Sequence, residues 1–274
     1  MHNMRSLSPS GTKECRRRAA QKGRVTVVGI GPGSIDHMTR KALTEIKTAD
    51  AIIGFNLYIQ QIRKAIPRNT KVYSSGMGHE VERALLALKL ASTKKHVVVV
   101  SGGDPGVYGM AGPILEAATR SSPDVKVYVV PGVTAATASA ASLGAPLMTD
   151  FAVISLSDLL TPRGRILERV RMAAKGDFVL VLYNPQSRTR RDPIRLVQRI
   201  LMRHRRPTTP VGIVTALARK GERVVVTTLE RMLEHKINMM TTLIIGNSTT
   251  VTFKDMMLTP RGYHQINNLA AKRG

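Results

Sequence analysis

Short β-branched runs alternate along this chain with longer amphipathic stretches, and the alternation predicts its elements. Residues 25–28 read as a first strand, and 38–47 as a first helix with Ala42, Leu43 and Ile46 at helical spacing. Four more strands are predicted at 51–54, 71–73, 97–100 and 125–130, with helices at 57–66, 81–91 and 108–118 between them. The run Val97 to Val100 has no polar face, which predicts a strand buried on both sides. A small-residue helix over 135–141 precedes a second series. There, strands are expected at 151–155, 177–182, 211–214, 223–228 and 241–245, with helices at 166–174 and 193–204. The turn Lys220-Gly221-Glu222 predicts a hairpin between two of those strands. The expected architecture is an α/β protein of two lobes, 23–148 and 149–263, each a five-stranded mixed sheet with flanking helices. A disordered basic tail (1–22) and a C-terminal tail (264–274) are expected to flank them.

The polar and glycine-rich stretches fall at the carboxyl ends of the predicted strands. They are 29–33, 74–78, 101–109, Thr134, Tyr183-Asn184 and Thr241-Thr242. Open α/β sheets bind ligands at that end of their strands. The loop 101–109 holds four glycines in nine positions, which lets backbone approach a ligand closely, and Asp104 adds a hydrogen-bond acceptor. A tight strand-to-helix turn is the competing reading for the same residues. Gly29-Ile30-Gly31-Pro32-Gly33 is not the dinucleotide fingerprint, because its third glycine follows the second too soon. Pro32 also removes a backbone N–H that a phosphate cradle would use. Thr134 suits either a helix cap or a hydroxyl facing a ligand at the helix start.

Composition narrows the chemistry. With 274 residues, 43% of them hydrophobic, the chain can bury one large core or two moderate ones. The net charge of +24 favours an acidic partner: nucleic acid, an anionic membrane surface, or a small substrate with several carboxylates. A solvated basic surface is the plain alternative. Cys15 is the only cysteine, so no disulfide can form within the chain and no cysteine-ligated metal site is expected. The histidines lack paired ligand spacing, and no P-loop lysine or nucleophile elbow is present, so no protein-held metal is expected. No apolar run reaches the roughly 20 residues that span a bilayer. The opening residues lack the apolar segment of a secretory signal, so a cytoplasmic protein without membrane attachment is expected. Aromatics are 4% of the chain with no stacking stripe, which weighs against single-stranded nucleic acid.

The motifs VGIGPG (28–33), SSGMG (74–78), SGGDPGVYGMAG (101–112), VPGVTA (130–135), GAPLMTDFAVISLSDLLTP (144–162), LYNPQSRTR (182–190) and TPRGY (259–263) closely resemble the tetrapyrrole methylase superfamily. Within it, the two long segments are most similar to the branch that methylates C17 of precorrin-3B. The resemblance covers roughly residues 24–263. It implies a homodimer that binds S-adenosylmethionine between two lobes. The implied reaction methylates precorrin-3B or cobalt-factor III at C17 and contracts the ring, a step of cobalamin biosynthesis. The implied cofactor residues are Gly102, Gly103, Asp104, Val107, Thr134, Ala135, Tyr183, Leu217, Thr241 and Thr242. Pro32 would line the trough for the anionic tetrapyrrole, with Gly76, Met77, His79, Ser157, Asp158 and Arg163 as further substrate candidates. No catalytic residue is assigned. Ser155, Ser157, Asp158, His79 and Arg163 are the polar candidates for an acid or base in ring contraction.

Two departures stand out. Ala216-Leu217-Ala218 replaces the asparagine-alanine-glycine turn common in the family, and Arg163 stands where an aromatic residue is common. Two other readings remain: methylation of an RNA ribose by the same fold, and a non-enzymatic basic module that binds nucleic acid. Whether the substrate is metal-free or cobalt-loaded stays open.

Overall fold

The computed structural model describes residues 23–93, 95–121, 124–186 and 192–263. Both expected tails, and Arg188, Arg190 and Arg191, lie outside the described residues. Strands β1 (Arg24–Gly29), β2 (Ala51–Phe55), β3 (Lys71–Ser75), β4 (His96–Ser101) and β5 (Lys126–Val130) form one sheet in the order β3-β2-β4-β1-β5. Every pair in it is parallel, which corrects the expected mixed character of this first sheet. The reason is the connections. Helices α1 (Arg40–Lys47), α2 (Asn56–Ile62), α3 (Glu80–Ser92) and α4 (Ala111–Ser121) each return the chain to the strands' starting edge, so no hairpin forms.

The valine run sits at the middle of this sheet and explains its layers. Val97 and Val99 pack with Ala84, Leu88 and Ile114, whereas Val98 and Val100 pack with Ala42, Ile46 and Ile59. All four valines are at most 1% exposed. Burying each contributes roughly 1.5–3 kcal/mol, which a half-solvated strand would forgo. α1 covers one face of the sheet and α4 the other, so the chain leaves neighbouring β1 and β4 toward opposite faces, past loops that pair through Gly31 and Gly103.

The chain then forms α5 (Ala135–Leu143), β6 (Gly144–Ala145), β7 (Phe151–Ser155), α6 (Arg163–Lys175), β8 (Val179–Tyr183) and α7 (Asp192–Leu201). Next come β9 (Pro210–Thr215), β10 (Arg223–Thr228) and β11 (Thr241–Ile245). The second sheet has the order β10-β9-β11-β8-β7 and is mixed, as expected. Its β7–β8 pair is parallel across α6, the other pairs are antiparallel, and β9–β10 is the expected hairpin. Leu180 and Leu182 face α6 and α7, while Val179 and Val181 face Ala136, Ala140 and Leu143 of α5. Thus α5 follows the first sheet in sequence and packs on the second. Its small residues permit the close approach, and Gly212 leaves the space that Leu143 fills.

A third sheet was not anticipated from the hydrophobic pattern. Strands β12 (Val251–Phe253) and β13 (Met256–Leu258) form a hairpin, and β13 pairs with β6. β6 is only two residues long and β12 is exposed throughout, so neither carries a burial period to read. The Thr259 hydroxyl donates to the Pro146 carbonyl at 2.7 Å and pairs with the Thr250 hydroxyl at 2.8 Å. The TPRGY segment therefore ties the end of the fold to the connection between the two large sheets. Among the described residues, no helix is long and apolar enough to cross a membrane.

Candidate active site

Three glycine loops leave the carboxyl ends of β1, β4 and β5 and pack backbone against backbone. Gly103 has φ +64°, a left-handed conformation that favours glycine. In that conformation its N–H donates to the Gly31 carbonyl at 2.8 Å, and the Gly31 N–H donates back at 3.2 Å. A Cβ on Gly132 would lie 2.2 Å from the Gly103 carbonyl oxygen, and one on Gly29 would lie 2.6 Å from the Gly132 nitrogen. No side chain fits at either place. Asp104 fastens the stack: one carboxylate oxygen accepts from the Gly106 N–H at 2.8 Å and the other from the Gly132 N–H at 3.0 Å. Its acceptor capacity is therefore partly committed to the loops themselves. Val107 also folds back, donating its N–H to the Asp104 carbonyl. Gly102 lies against the Tyr58 ring, where a Cβ would come 2.5 Å from Cζ.

The second sheet closes over this stack through specific bonds. Tyr183, at the end of β8, accepts from the Ala136 N–H at 2.6 Å and shares a 2.7 Å hydrogen bond with the Thr134 hydroxyl. Thr134 occupies the N-cap position of α5 without capping it by its side chain. Of its two sequence readings, the side-chain cap is not formed; the hydroxyl is linked to Tyr183 instead. Burial raises the Tyr183 phenol's pKa, so it stays neutral.

Tyr108 does not start a helix, as its sequence suggested. It stands in the loop at φ 54°, and α4 begins three residues later. Its hydroxyl donates to the Val153 carbonyl at 3.0 Å and accepts from the Ser155 N–H at 3.2 Å, satisfying part of the outer edge of β7. Its ring meets Tyr183 edge-on, with centroids 5.9 Å apart.

Leu217 lies in the turn after β9. Its carbonyl and that of Ala218 would be 2.9 and 2.8 Å from a Cβ on Gly33, so this turn presses on the first glycine loop. Thr241 and Thr242 open β11, so they lie at that strand's amino end and not at a carboxyl end as expected; β11 is antiparallel to β8, Thr241 bonds the Thr215 hydroxyl at 2.9 Å, and Thr242 is buried. Gly102, Gly103, Asp104 and Val107 thus share one loop, and Thr134 and Tyr183 are bonded to each other across the two sheets.

The substrate candidates are less unified. The Pro32 carbonyl accepts from Arg219 Nε. Gly76, Met77 and His79 follow β3, which β2 and β4 separate from β1. At about 4.8 Å per strand, their loop stands roughly 14 Å away along the sheet. Buried Arg83 supports it, donating to the Ser75 hydroxyl and the Gly76 carbonyl, both at 2.8 Å. Met77 is exposed, and His79 sits 3.4 Å from Glu82 at the start of α3. Ser157 donates its N–H to the Ser155 hydroxyl, which also accepts from the Asn184 amide at 3.0 Å. Asp158 follows Ser157, and Arg163 opens α6 in an exposed position. Tyr58, Tyr108 and Arg219 join the site without having been singled out in the sequence. Among the described residues, no group of three or more His, Cys, Asp or Glu side chains is placed to hold a metal ion.

Left-handed backbone concentrates here. Of the six described non-glycine residues with positive φ, Tyr108, Asn184, Ala216 and Ala218 border the site. Asparagine tolerates that conformation, but alanine is strained by about 1–2 kcal/mol. Ala218→Gly should therefore stabilise the fold by roughly 0.5–1 kcal/mol, after glycine's extra unfolded-state freedom is deducted. Urea unfolding checks this; an unchanged or lower midpoint contradicts it.

The family model described as Tetrapyrrole (Corrin/Porphyrin) Methylases matches residues 24–233. A Priestia megaterium protein named cobalt-factor III methyltransferase is 45% identical over 248 residues. That alignment covers 89% of this chain and 46% of the relative, so the chain spans about half of that protein. A Salmonella typhimurium protein named probable cobalt-factor III C(17)-methyltransferase is 41% identical over 239 residues, covering 87% of this chain and 99% of the relative. The crystal structure of the methyltransferase CobJ matches with a TM-score of 0.83 at 34% identity, over 87% of this chain and 100% of that one. Uroporphyrin-III C-methyl transferase from Thermus thermophilus, complexed with S-adenyl homocysteine, matches with a TM-score of 0.65 at 28% identity, over 82% of this chain and 92% of that one.

Proposed function

This chain belongs to the tetrapyrrole methylase family, and on that premise we propose that it methylates a cobalamin precursor at C17 with S-adenosylmethionine. The substrate is precorrin-3B or cobalt-factor III, and methylation accompanies ring contraction. Names of the relatives support the substrate class, and the ligand of the Thermus thermophilus structure supports the cofactor. The observation that carries the proposal is the glycine stack joined to the second sheet through Thr134 and Tyr183. Positions 29 and 132 leave no room for a Cβ and Gly103 holds a left-handed φ that favours glycine, so the wall they build presents backbone to a ligand.

In this proposal Gly102, Gly103, Asp104, Val107, Thr134 and Ala135 hold the cofactor from the first lobe (23–148). Tyr183, Leu217, Thr241 and Thr242 close on it from the second (149–263). When bound, S-adenosylmethionine supplies an electrophilic sulfonium methyl group. The chain itself then has three tasks: fixing the reacting geometry, keeping water out, and lining the trough with Pro32. Gly76, Met77, His79, Ser157, Asp158 and Arg163 form the rim that receives the macrocycle. Ser155 accepts two hydrogen bonds, which leaves its own O–H as a donor for the substrate. The net charge of +24 suits a substrate with several carboxylates.

A cytoplasmic homodimer is part of the same proposal. Leu159 and Leu160, 79% and 94% exposed, supply apolar surface for such an association to cover. Calorimetry with S-adenosylhomocysteine tests the cofactor assignment. One saturable site per chain is expected; no detectable binding to folded protein overturns it.

A further inference from the structure

Arg219 stands where loops of the two large sheets meet, and its guanidinium is only partly used. Its Nε donates to the Pro32 carbonyl at 2.9 Å, joining residues 187 positions apart. Its stem lies on Gly33, where a Cβ would come 2.5 Å from Arg219 Cγ. Those two contacts fix the plane of the guanidinium fork. Its two terminal nitrogens have no hydrogen-bond partner and no carboxylate partner among the described residues. Burial disfavours the charge on this side chain. The Tyr58 hydroxyl lies against Gly102, next to the Gly103 that pairs with Gly31 one residue before Pro32, and likewise has no hydrogen bond among the described residues.

A half-buried cation with idle donors is costly, and an anion seated on it offsets that cost. The planar fork matches a carboxylate with two parallel N–H···O bonds. We infer that the Arg219 guanidinium and the Tyr58 hydroxyl form a carboxylate seat at the junction of the two lobes. The inference rests on the methyl-transfer reading above. Two ligands of that reading carry carboxylates, the macrocycle on its side chains and the cofactor on its amino-acid end. The chemistry of the seat is the same for both.

The test uses the full chain and three variants, Arg219→Ala, Arg219→Lys and Tyr58→Phe, each checked for an unchanged melting transition. Two constants are read: the Kd for S-adenosylhomocysteine by calorimetry, and the KM for cobalt-factor III in methyl transfer. Arg219→Ala is expected to raise one of them about 10- to 100-fold, the loss of a charge-assisted bidentate pair. Arg219→Lys keeps the charge but not the fork, and should recover only part of the loss. Millimolar guanidinium should partly restore Arg219→Ala and leave the wild type unchanged. A raised KM with an unchanged Kd assigns the seat to the macrocycle; a raised Kd assigns it to the cofactor.

Both constants within about twofold of wild type in Arg219→Ala overturn the seat, since a bidentate pair is worth more than that. If that variant fails to fold, unchanged constants in Arg219→Lys and Tyr58→Phe overturn it instead. A wild type that binds the cofactor and methylates no tetrapyrrole contradicts the methyl-transfer reading, not the seat, which the calorimetric arm still tests.

Discussion

Gly132→Ala should weaken cofactor binding about 100-fold or more. The added methyl would sit 2.2 Å from the Gly103 carbonyl oxygen and 2.8 Å from the Gly29 backbone. Neither neighbour is the end of a flexible side chain, so relief requires three loops to part. Overpacking of this kind costs about 3 kcal/mol at its upper end, equal to roughly a hundredfold in an equilibrium constant. The loss should fall on the site more than on the fold, because the two cores lie below the loops. The expected result is S-adenosylhomocysteine affinity reduced about 100-fold or more, with the far-ultraviolet spectrum retained. Gly112→Ala is the control, since a Cβ there meets nothing within 4 Å. Equal affinities in the two variants would show that the glycine stack does not shape the ligand wall.

Asp104→Ala is expected to be the next most damaging change. It removes acceptors from the Gly106 and Gly132 N–H groups, 2.8 and 3.0 Å away. Each bond joins a charged acceptor to a backbone donor, and together they contribute roughly 2–4 kcal/mol, nearer the lower figure for a half-buried carboxylate. Cofactor affinity should drop about 10- to 30-fold, since each 1.4 kcal/mol is tenfold. Asp104→Asn keeps one acceptor oxygen and should fall between wild type and alanine. The comparison has a second use. If Asp104 touched only ligand, its loss would leave the unliganded melting transition unchanged; a role in holding the loops lowers it. The structure predicts the lower transition.

How far the sequence carried depends on how local each signal was. The valine run gave the central strand of the first sheet because burial on both faces removes the period-two pattern. Glycine density at 101–109 marked the loop because left-handed and side-chain-free positions need glycine. Strand direction was less legible. The first sheet is all parallel, since each of its strands is followed by a helix, and the hydrophobic pattern alone left it as mixed.

The least legible features depend on distant partners. Tyr108 reads as a helix start because its neighbours suit a helix, yet its hydroxyl serves a strand 45 positions away. Arg219 precedes the predicted Lys220-Gly221-Glu222 turn, and no local pattern marks its bond to Pro32, 187 positions upstream. Ala216 and Ala218 show the reverse case. The sequence flagged their departure from the family's asparagine-alanine-glycine turn, and the structure supplies the meaning, two alanines at φ 53° and 55°. The other flagged departure, Arg163, is exposed at the start of α6, and nothing in the structure explains it.

The central claim is that this chain transfers a methyl group to a tetrapyrrole. The most direct measurement incubates the full chain with cobalt-factor III and S-adenosylmethionine carrying an isotopically labelled methyl group, and reads the product by mass. The account predicts one labelled methyl on the macrocycle, much reduced with Gly132→Ala. Unmodified tetrapyrrole under conditions where the cofactor demonstrably binds, or label appearing in RNA instead, would contradict it.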